Sequence, residues 1–407
     1  MRRVCVIGGG AAGMMAAYAA AQNDGAVTLI EKNEKLGKKI YITGKGRCNV
    51  TNAADIADFF ENAVRNPSFL YSALYTFNND QLMTFLEAHG TPVKTERGGR
   101  VFPVSERASD VTAALEKAMR GAGAHIELNT AVEKLQIEDG RVTGVMIGGK
   151  PRTYDAVVVA TGGASYPSTG SAGDGYSFAR QAGHRIIPPQ ASLVGVDTCE
   201  DVSAMAGLTL KNVTLTLKRE NKAVFSQQGE MLLTHTGLSG PLVLSASAYM
   251  EDGPYTAHID LKPALDAQRL DERLLRDFAE RANQNFSNVL GGLVPSALIE
   301  VMLEKTGIPA ETKAHSITKQ QRAKLRDTLK NLTFEIAGKR PLKEAVITRG
   351  GVDVKEIDAS TMQSKLCAGL FFAGEVIDVD ALTGGYNLQI AFSTGYLAGS
   401  RCADGES

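Results

Sequence analysis

Apolar residues fall along this chain in distinct rhythms, and their order predicts an alternating α/β architecture. Val4-Cys5-Val6-Ile7 is an unbroken apolar run, as expected of a strand buried on both faces. Residues 11–22 are almost all Ala and Met with Tyr18, which predicts a helix of small side chains. Val27-Thr28-Leu29-Ile30 is a second strand. Residues 53–120 read as helical and polar, with Phe59, Phe60, Phe69, Tyr71, Tyr75, Phe77 and Phe85 expected in the core. Period two then takes over. Residues 125–128 predict a third strand, and 131–137, 142–147 and 152–154 a meander with Asp139-Gly140 as a hairpin turn. Residues 155–163 form a buried strand that runs into a glycine turn.

After Pro188-Pro189 the pattern breaks into short alternating runs, such as 213–217 and 231–233, which predict a small sheet or barrel. Amphipathic helices are expected at 266–281, 295–305 and 318–332. Gly369-Leu370-Phe371-Phe372-Ala373-Gly374-Glu375 is a last apolar strand ending at an acid, followed by a helix over 388–398. The reading is a discontinuous first domain, 1–190 with 345–407, and an inserted second domain, 191–344. The insert has a β part over about 191–262 and a helical part over about 263–332.

Chemistry first shows where the first strand ends, at Gly8-Gly9-Gly10-Ala11-Ala12-Gly13. This is a G-x-G-x-x-G between a strand and a helix. Gly8 permits the tight turn, Gly10 lets a pyrophosphate approach the backbone, and Gly13 lets helix pack on strand. The helix N-terminus then offers unpaired N–H groups to the anion. Glu31, at the end of the second strand, is placed to accept hydrogen bonds from ribose hydroxyls. Strand, turn, helix, strand and acid fall in register for a dinucleotide site, but this segment alone does not separate NAD from FAD.

The next loop, Lys38 to Asn52, mixes cations, glycines, Asn and Thr. It reads either as a solvated basic loop or as a loop running along the cofactor, with Arg47 and Asn49 donating to its oxygens. Cys48 between them reads as a packed thiol. Near the C-terminus, Glu375 can take hydrogen bonds from ribityl hydroxyls. A helix starting at Gly385-Tyr386-Asn387 would face the ring edge where negative charge grows on reduction. With that element FAD is favoured over NAD.

Composition narrows the rest. Among 407 residues there are 42 glycines, above the usual ~7%; many of them fall in a few loops, 8–13, 37–46, 162–175, 237–240 and 369–399. Lys and Arg total 44 against 45 Asp and Glu, a formal charge of −1. A nucleic-acid binder usually carries a basic surplus, so no nucleic-acid partner is expected. Cys5, Cys48, Cys199, Cys367 and Cys402 are scattered with no C-x-x-C. That pattern argues against disulfides and a zinc site, and for a reducing cytoplasm. No signal-peptide pattern or membrane span is expected. The oligomeric state is not readable.

Taken together, GGGAAG, TGKGRCNVTN, GGRVFPVS, ATGGASYPSTGSAGDGY, THTGLSGP and FAGEVIDVDALTGGYNLQIAFSTGYLAG resemble the BaiN/RdsA-type, YhiN-like FAD-dependent oxidoreductases across essentially the whole chain. The resemblance implies a glutathione-reductase-like Rossmann FAD domain interrupted by a β-barrel and helical insert. It implies FAD contacts at Gly8, Gly10, Glu31, Gly46, Arg47, Cys48, Asn49, Val132, Thr161, Gly162, Gly374, Glu375, Gly385, Tyr386, Asn387 and Leu388. Ala11, Ala12, Gly13, Lys32 and Lys39 complete the expected cofactor set.

The family likeness also implies reduction of 3-oxo-Δ4 or Δ4,6 bile-acid and steroid intermediates. The expected function is therefore an FAD-dependent reductase of an activated C=C bond, with a small, steroid-like substrate. NAD(P)H would be a transient electron donor, since no second G-x-G-x-x-G follows a strand. Tyr166, His235, Tyr386 and Arg47 are the candidate acids or donors. Two alternatives stay open: an oxidase or dehydrogenase of a small amine or alcohol, and a flavin-binding RNA-associated or sensor protein.

Overall fold

The computed structural model describes residues 1–404, which divide into two compact units, 1–192 with 341–404, and Leu193–Arg340. The first unit is built on a parallel sheet. Its strands are β1 (Arg3–Ile7), β2 (Ala26–Ile30), β3 (His125–Glu127), β4 (Ala156–Val159) and β5 (Leu370–Phe372), in the spatial order β5-β4-β1-β2-β3. All four pairings are parallel, for example Val4 with Ala156 and Val157 with Leu370. Val157, Val158 and Val159 are completely buried, which is why β4 reads as an unbroken apolar run rather than an alternation.

Helix α1 (Ala11–Gln22) returns from β1 to β2, and helix α2 (Tyr386–Ala403) follows β5. The small residues of α1 are explained by α2. A Cβ at Gly395 would meet the Ala12 carbonyl oxygen at 2.3 Å, and one at Gly399 the Ala16 oxygen at 2.2 Å. The two backbones approach too closely for any larger pair of side chains.

The meander forms as read, from Lys134–Glu138, Arg141–Ile147 and Lys150–Thr153, with Asp139 (φ 50°) and Gly140 (φ 74°) in the left-handed turn. A further three-stranded sheet joins Thr51–Asn52, Arg100–Pro103 and Val93–Thr95. Among the helices of 53–120, five of the seven aromatics are buried or packed on the core as expected. Tyr71 and Tyr75 are not: they are 51% and 62% exposed, stacked outward on Phe60. One turn of helix separates them, so both lie on the outer face.

The second unit holds a closed barrel of six strands, Val196–Thr198, Gly237–Ser239, Lys222–Leu233, Thr209–Arg219, Tyr255–Asp260 and Leu332–Lys339. Alternation along them is strict where expected: Val213, Leu215 and Leu217 are buried, as are Tyr255, Ala257 and Ile259. Helices Ala267–Glu280, Ile299–Thr306 and Lys319–Lys330 pack with this unit's own core. The helix expected over 318–332 stops at Lys330, because Leu332 already opens the last barrel strand.

Candidate functional site

In the first unit, the turns leaving the C-terminal ends of β1, β2, β4 and β5 surround a cavity of about 1230 Å3, part of it open to solvent. It lies where open parallel sheets place their ligands. Its walls contain Gly8, Gly10, Ala11, Ala12, Glu31, Lys32, Lys39, Val132, Thr161, Gly162, Gly374, Glu375, Asn387 and Leu388. These span nearly the whole sequence, and the sheet brings them together.

The glycines of the first turn do different jobs. Gly8 has φ +106°, and a Cβ on Gly13 would lie 1.8 Å from the Gly8 oxygen. Both are fixed by packing. A Cβ on Gly10 would meet nothing within 4 Å, so its bare backbone faces open space. No side chain caps α1 and its first turn holds no acid, which leaves N–H groups and the positive end of the helix dipole for an anion. The hydroxyl oxygen of Thr161 is buried without a partner on the same wall.

Polar side chains brace this wall. Glu31 Oε2 accepts from the Gly9 N–H at 2.7 Å, while Oε1 accepts from the backbone and side-chain nitrogens of Asn33. Lys32 pairs with Asp174 at 2.5 Å. At the opposite side, Lys39 Nζ donates to Glu375 at 2.5 Å and to Ser165 at 2.7 Å, and the Ser165 hydroxyl donates to Glu375 at 2.9 Å. Glu375 also accepts the Thr348 N–H at 2.8 Å, and the Thr348 hydroxyl accepts from the N–H groups of Ala164 and Ser165. Asn33, Ser165 and Thr348 were missed from the sequence. Only Asn33, two residues past Glu31, carried a local cue; Thr348 lies 183 residues from Ser165.

Gly13, Gly46, Arg47, Cys48, Asn49, Gly385 and Tyr386 were expected at the cofactor but do not line the cavity. Gly13 is buried under the turn. Arg47 is turned aside: its guanidinium sits 4.2 Å above the Phe102 ring and pairs with Glu96 and Glu106. Cys48 is buried, and burial pushes its thiol up to about 12. The Asn49 side-chain oxygen is buried without a partner. Gly385 is pinned against Thr51, whose carbonyl oxygen would lie 2.3 Å from a Cβ there.

None of the four candidate acids lines the cavity. The Tyr386 ring packs edge-on against Phe59 at 5.1 Å, and burial, with Asp58 adding to it, raises its phenol. Tyr166 caps the short Pro167–Thr169 turn in a left-handed conformation, φ 48°, outside the cavity wall. His235 is exposed in a turn of the second unit and is not part of the first unit's cavity. Arg47 has its charge satisfied as described.

The sequence of residues 2–401 matches the model of the HI0933-like protein Rossmann domain. The chain belongs to the HI0933-like family. Full-length relatives agree with that membership. The chain is 31% identical to the 3-dehydro-bile acid delta(4,6)-reductase of Clostridium scindens, over 99% of this chain and 100% of that one. It is 32% identical to a ribosomal RNA dihydrouridine synthase of Haemophilus influenzae, over 96% of both. Among solved structures, the 3-ketosteroid-delta4-(5alpha)-dehydrogenase of Rhodococcus jostii matches with a TM-score of 0.51 at 15% identity, covering 99% of this chain and 97% of that one. Like its family, the HI0933-like chain is an FAD-dependent oxidoreductase with a Rossmann FAD fold. None of its helices, among the described residues, is long and apolar enough to cross a membrane.

Proposed function

We propose that this protein is a reductase of a C=C bond conjugated to a carbonyl, with FAD seated in the cavity of the first unit. The observation that carries the reading is the wall itself: an uncapped α1 N-terminus, the open face at Gly10, and the partnerless Thr161 hydroxyl all meet there. The residues present suit FAD. The N–H groups of Ala11 and Ala12 would hold the pyrophosphate and Glu31 a ribose. Lys39, Glu375, Asn387 and Leu388 would lie along the ribityl chain and ring. When bound, the reduced flavin supplies hydride.

The protein's part is binding, orientation and proton supply. Glu375 in its frame of Lys39, Ser165 and Thr348 keeps a fixed acceptor at the cavity. Tyr166 is the first unit's proton donor to test first, since the Arg47 and Tyr386 side chains are engaged elsewhere. The two curated relatives lend support through their names, because a Δ4,6-3-oxo steroid and a uracil ring both present a C=C conjugated to a carbonyl. NAD(P)H is the proposed electron source. Four of the five cysteines are free and buried, in keeping with a reducing cytoplasm as its location.

Anaerobic incubation with NADPH or NADH and a conjugated 3-oxo-Δ4,6 steroid or a uridine-containing RNA tests the proposal. The expected product is two hydrogens heavier by mass spectrometry. Hydrogen peroxide formation from small amines or alcohols, with no such product, would favour the oxidase reading instead.

A further inference from the structure

A loop rich in glycine and serine borders the first unit's cavity and is tied down mainly at its base. Residues 163–173 follow β4 and its glycine turn and end at the helix Asp174–Gln181. The Gly173 N–H donates to the Gly163 oxygen at 3.1 Å, so the two ends are joined and the segment is an Ω-loop. Near the base, Ser165 is completely buried and held by Lys39, Thr348 and Glu375. Farther out the loop bonds to itself: the Thr169 N–H to the Tyr166 oxygen, the Gly170 N–H to the Pro167 oxygen and the Ala172 N–H to the Gly170 oxygen. Among the described residues, the outer part, 166–172, makes one hydrogen bond to the rest of the protein, accepted by the Thr169 oxygen from Asn33 Nδ2 at 3.3 Å.

That bond joins two parts of the cavity wall, Thr169, Gly170 and Ser171 on the loop and Lys32 and Asn33 beyond β2. Contact there is close, since a Cβ at Gly170 would lie 2.5 Å from Asn33 Nδ2. Asn33 is bound to Glu31 as well. Its backbone N–H and its Nδ2 donate to Oε1 at 2.8 and 2.6 Å, and the Gly9 N–H donates to Oε2. Lys38 Nζ donates to Asn33 Oδ1 at 3.4 Å, which fixes the amide nitrogen as the group facing Glu31 and Thr169. A carboxylate offers about four acceptor positions, and three on Glu31 are taken. Glu31 is also only 8% exposed. A ribose with two hydroxyls to donate therefore needs the covering segments to part and one acceptor position to be given up. The two backbone donors are fixed by the fold, so the Asn33 amide is the donor that yields.

We propose that residues 163–173 are a strap that lifts from Asn33 to admit FAD and closes over its ribose end, and that Asn33 is the positioning residue that couples closure to occupancy. With a ribose on Glu31, the Asn33 amide is released from the carboxylate and serves Thr169 alone. A seated cofactor thus tightens the strap that retains it. The inference rests on the FAD seat proposed above and not on the reaction carried out there.

The test takes two rates from the FAD-loaded protein: FAD release on dilution, read by the growth of free-flavin fluorescence, and hydrogen exchange of the 163–173 peptide. Where opening of the strap gates release, both rates scale with the open fraction. Asn33→Ala removes the latch and should raise both by about two- to tenfold, the scale of one hydrogen bond. Because that change also takes a donor from Glu31, Pro167→Ala serves as a second variant. Pro167 is exposed and lines no part of the cavity. Its loss adds freedom to the open loop alone and should raise both rates by about two- to fivefold. A variant that changes one rate and not the other overturns the proposal, as do two variants that change neither. Neither readout involves a substrate, so a failed C=C reduction leaves the strap standing and a failed strap leaves the reduction.

Discussion

Gly10 and Gly13, in the same turn, should fail in opposite ways. At Gly13 an alanine Cβ would sit 1.8 Å from the Gly8 oxygen, where ordinary contact begins at 3.4 Å. The obstacle is backbone, so α1 must lift from β1 by more than an ångström. Overpacking of this kind costs about 1–3 kcal/mol, and each kcal/mol lowers the melting temperature of a domain this size by about 2–4 °C. Gly13→Ala should therefore melt roughly 2–12 °C early. Gly10 has φ −83°, open to any residue, and a Cβ there meets nothing. Gly10→Ala should lose less than about 1 kcal/mol, the scale of an N-cap change. Its methyl would occupy the space the pyrophosphate needs, so FAD affinity should fall on the order of tenfold, about 1.4 kcal/mol. Thermal melts of apoprotein and FAD titration by flavin fluorescence read the two effects separately. A Gly10→Ala protein that binds FAD like wild type, or melts earlier than Gly13→Ala, would refute the assignment of roles.

Other outcomes follow from burial. Asp380 is fully buried with one oxygen lacking a partner and the other accepting from Ser192 at 2.7 Å; burial lifts its carboxyl to about 6. A raised carboxyl pKa means the folded state binds the proton more tightly, so this site weakens folding as pH rises from about 4 to 6 and stays costly above. Asp380→Asn should gain stability in urea unfolding at pH 8, by up to about 3 kcal/mol, and gain little near pH 4; an equal gain at both would show that the charge is not the cause. For the thiols, Cys199 is exposed while Cys5, Cys48, Cys367 and Cys402 are buried. Native protein should show one fast-reacting thiol with Ellman's reagent and five after denaturation; rapid reaction of a second would contradict the packing.

The fold class was legible because its signals are local. A buried apolar run, a glycine turn and a small-residue helix sit within the first 22 residues, and the barrel strands alternate by two. What stayed hidden depends on partners far along the chain. Nothing near Arg47 announces Glu96, 49 residues away, so a phosphate-binding arginine and an ion-paired one look alike in sequence. Tyr386 begins a helix facing the expected ring site, yet Phe59, brought in from another helix, claims its ring. The frame around Glu375 draws on Lys39, Ser165 and Thr348 from three separate segments.

The central claim is that reduced flavin in this cavity hands hydride to a conjugated C=C. Its most direct measurement is a single turnover without oxygen: the FAD-loaded protein is photoreduced, mixed with a 3-oxo-Δ4,6 steroid or a uridine-containing RNA, and its visible flavin absorbance followed. The account predicts that the absorbance returns in proportion to acceptor, with one saturated bond formed per flavin, while the already saturated analogues leave the flavin bleached. Flavin that stays bleached with every conjugated acceptor, yet returns on admitting air, would contradict it.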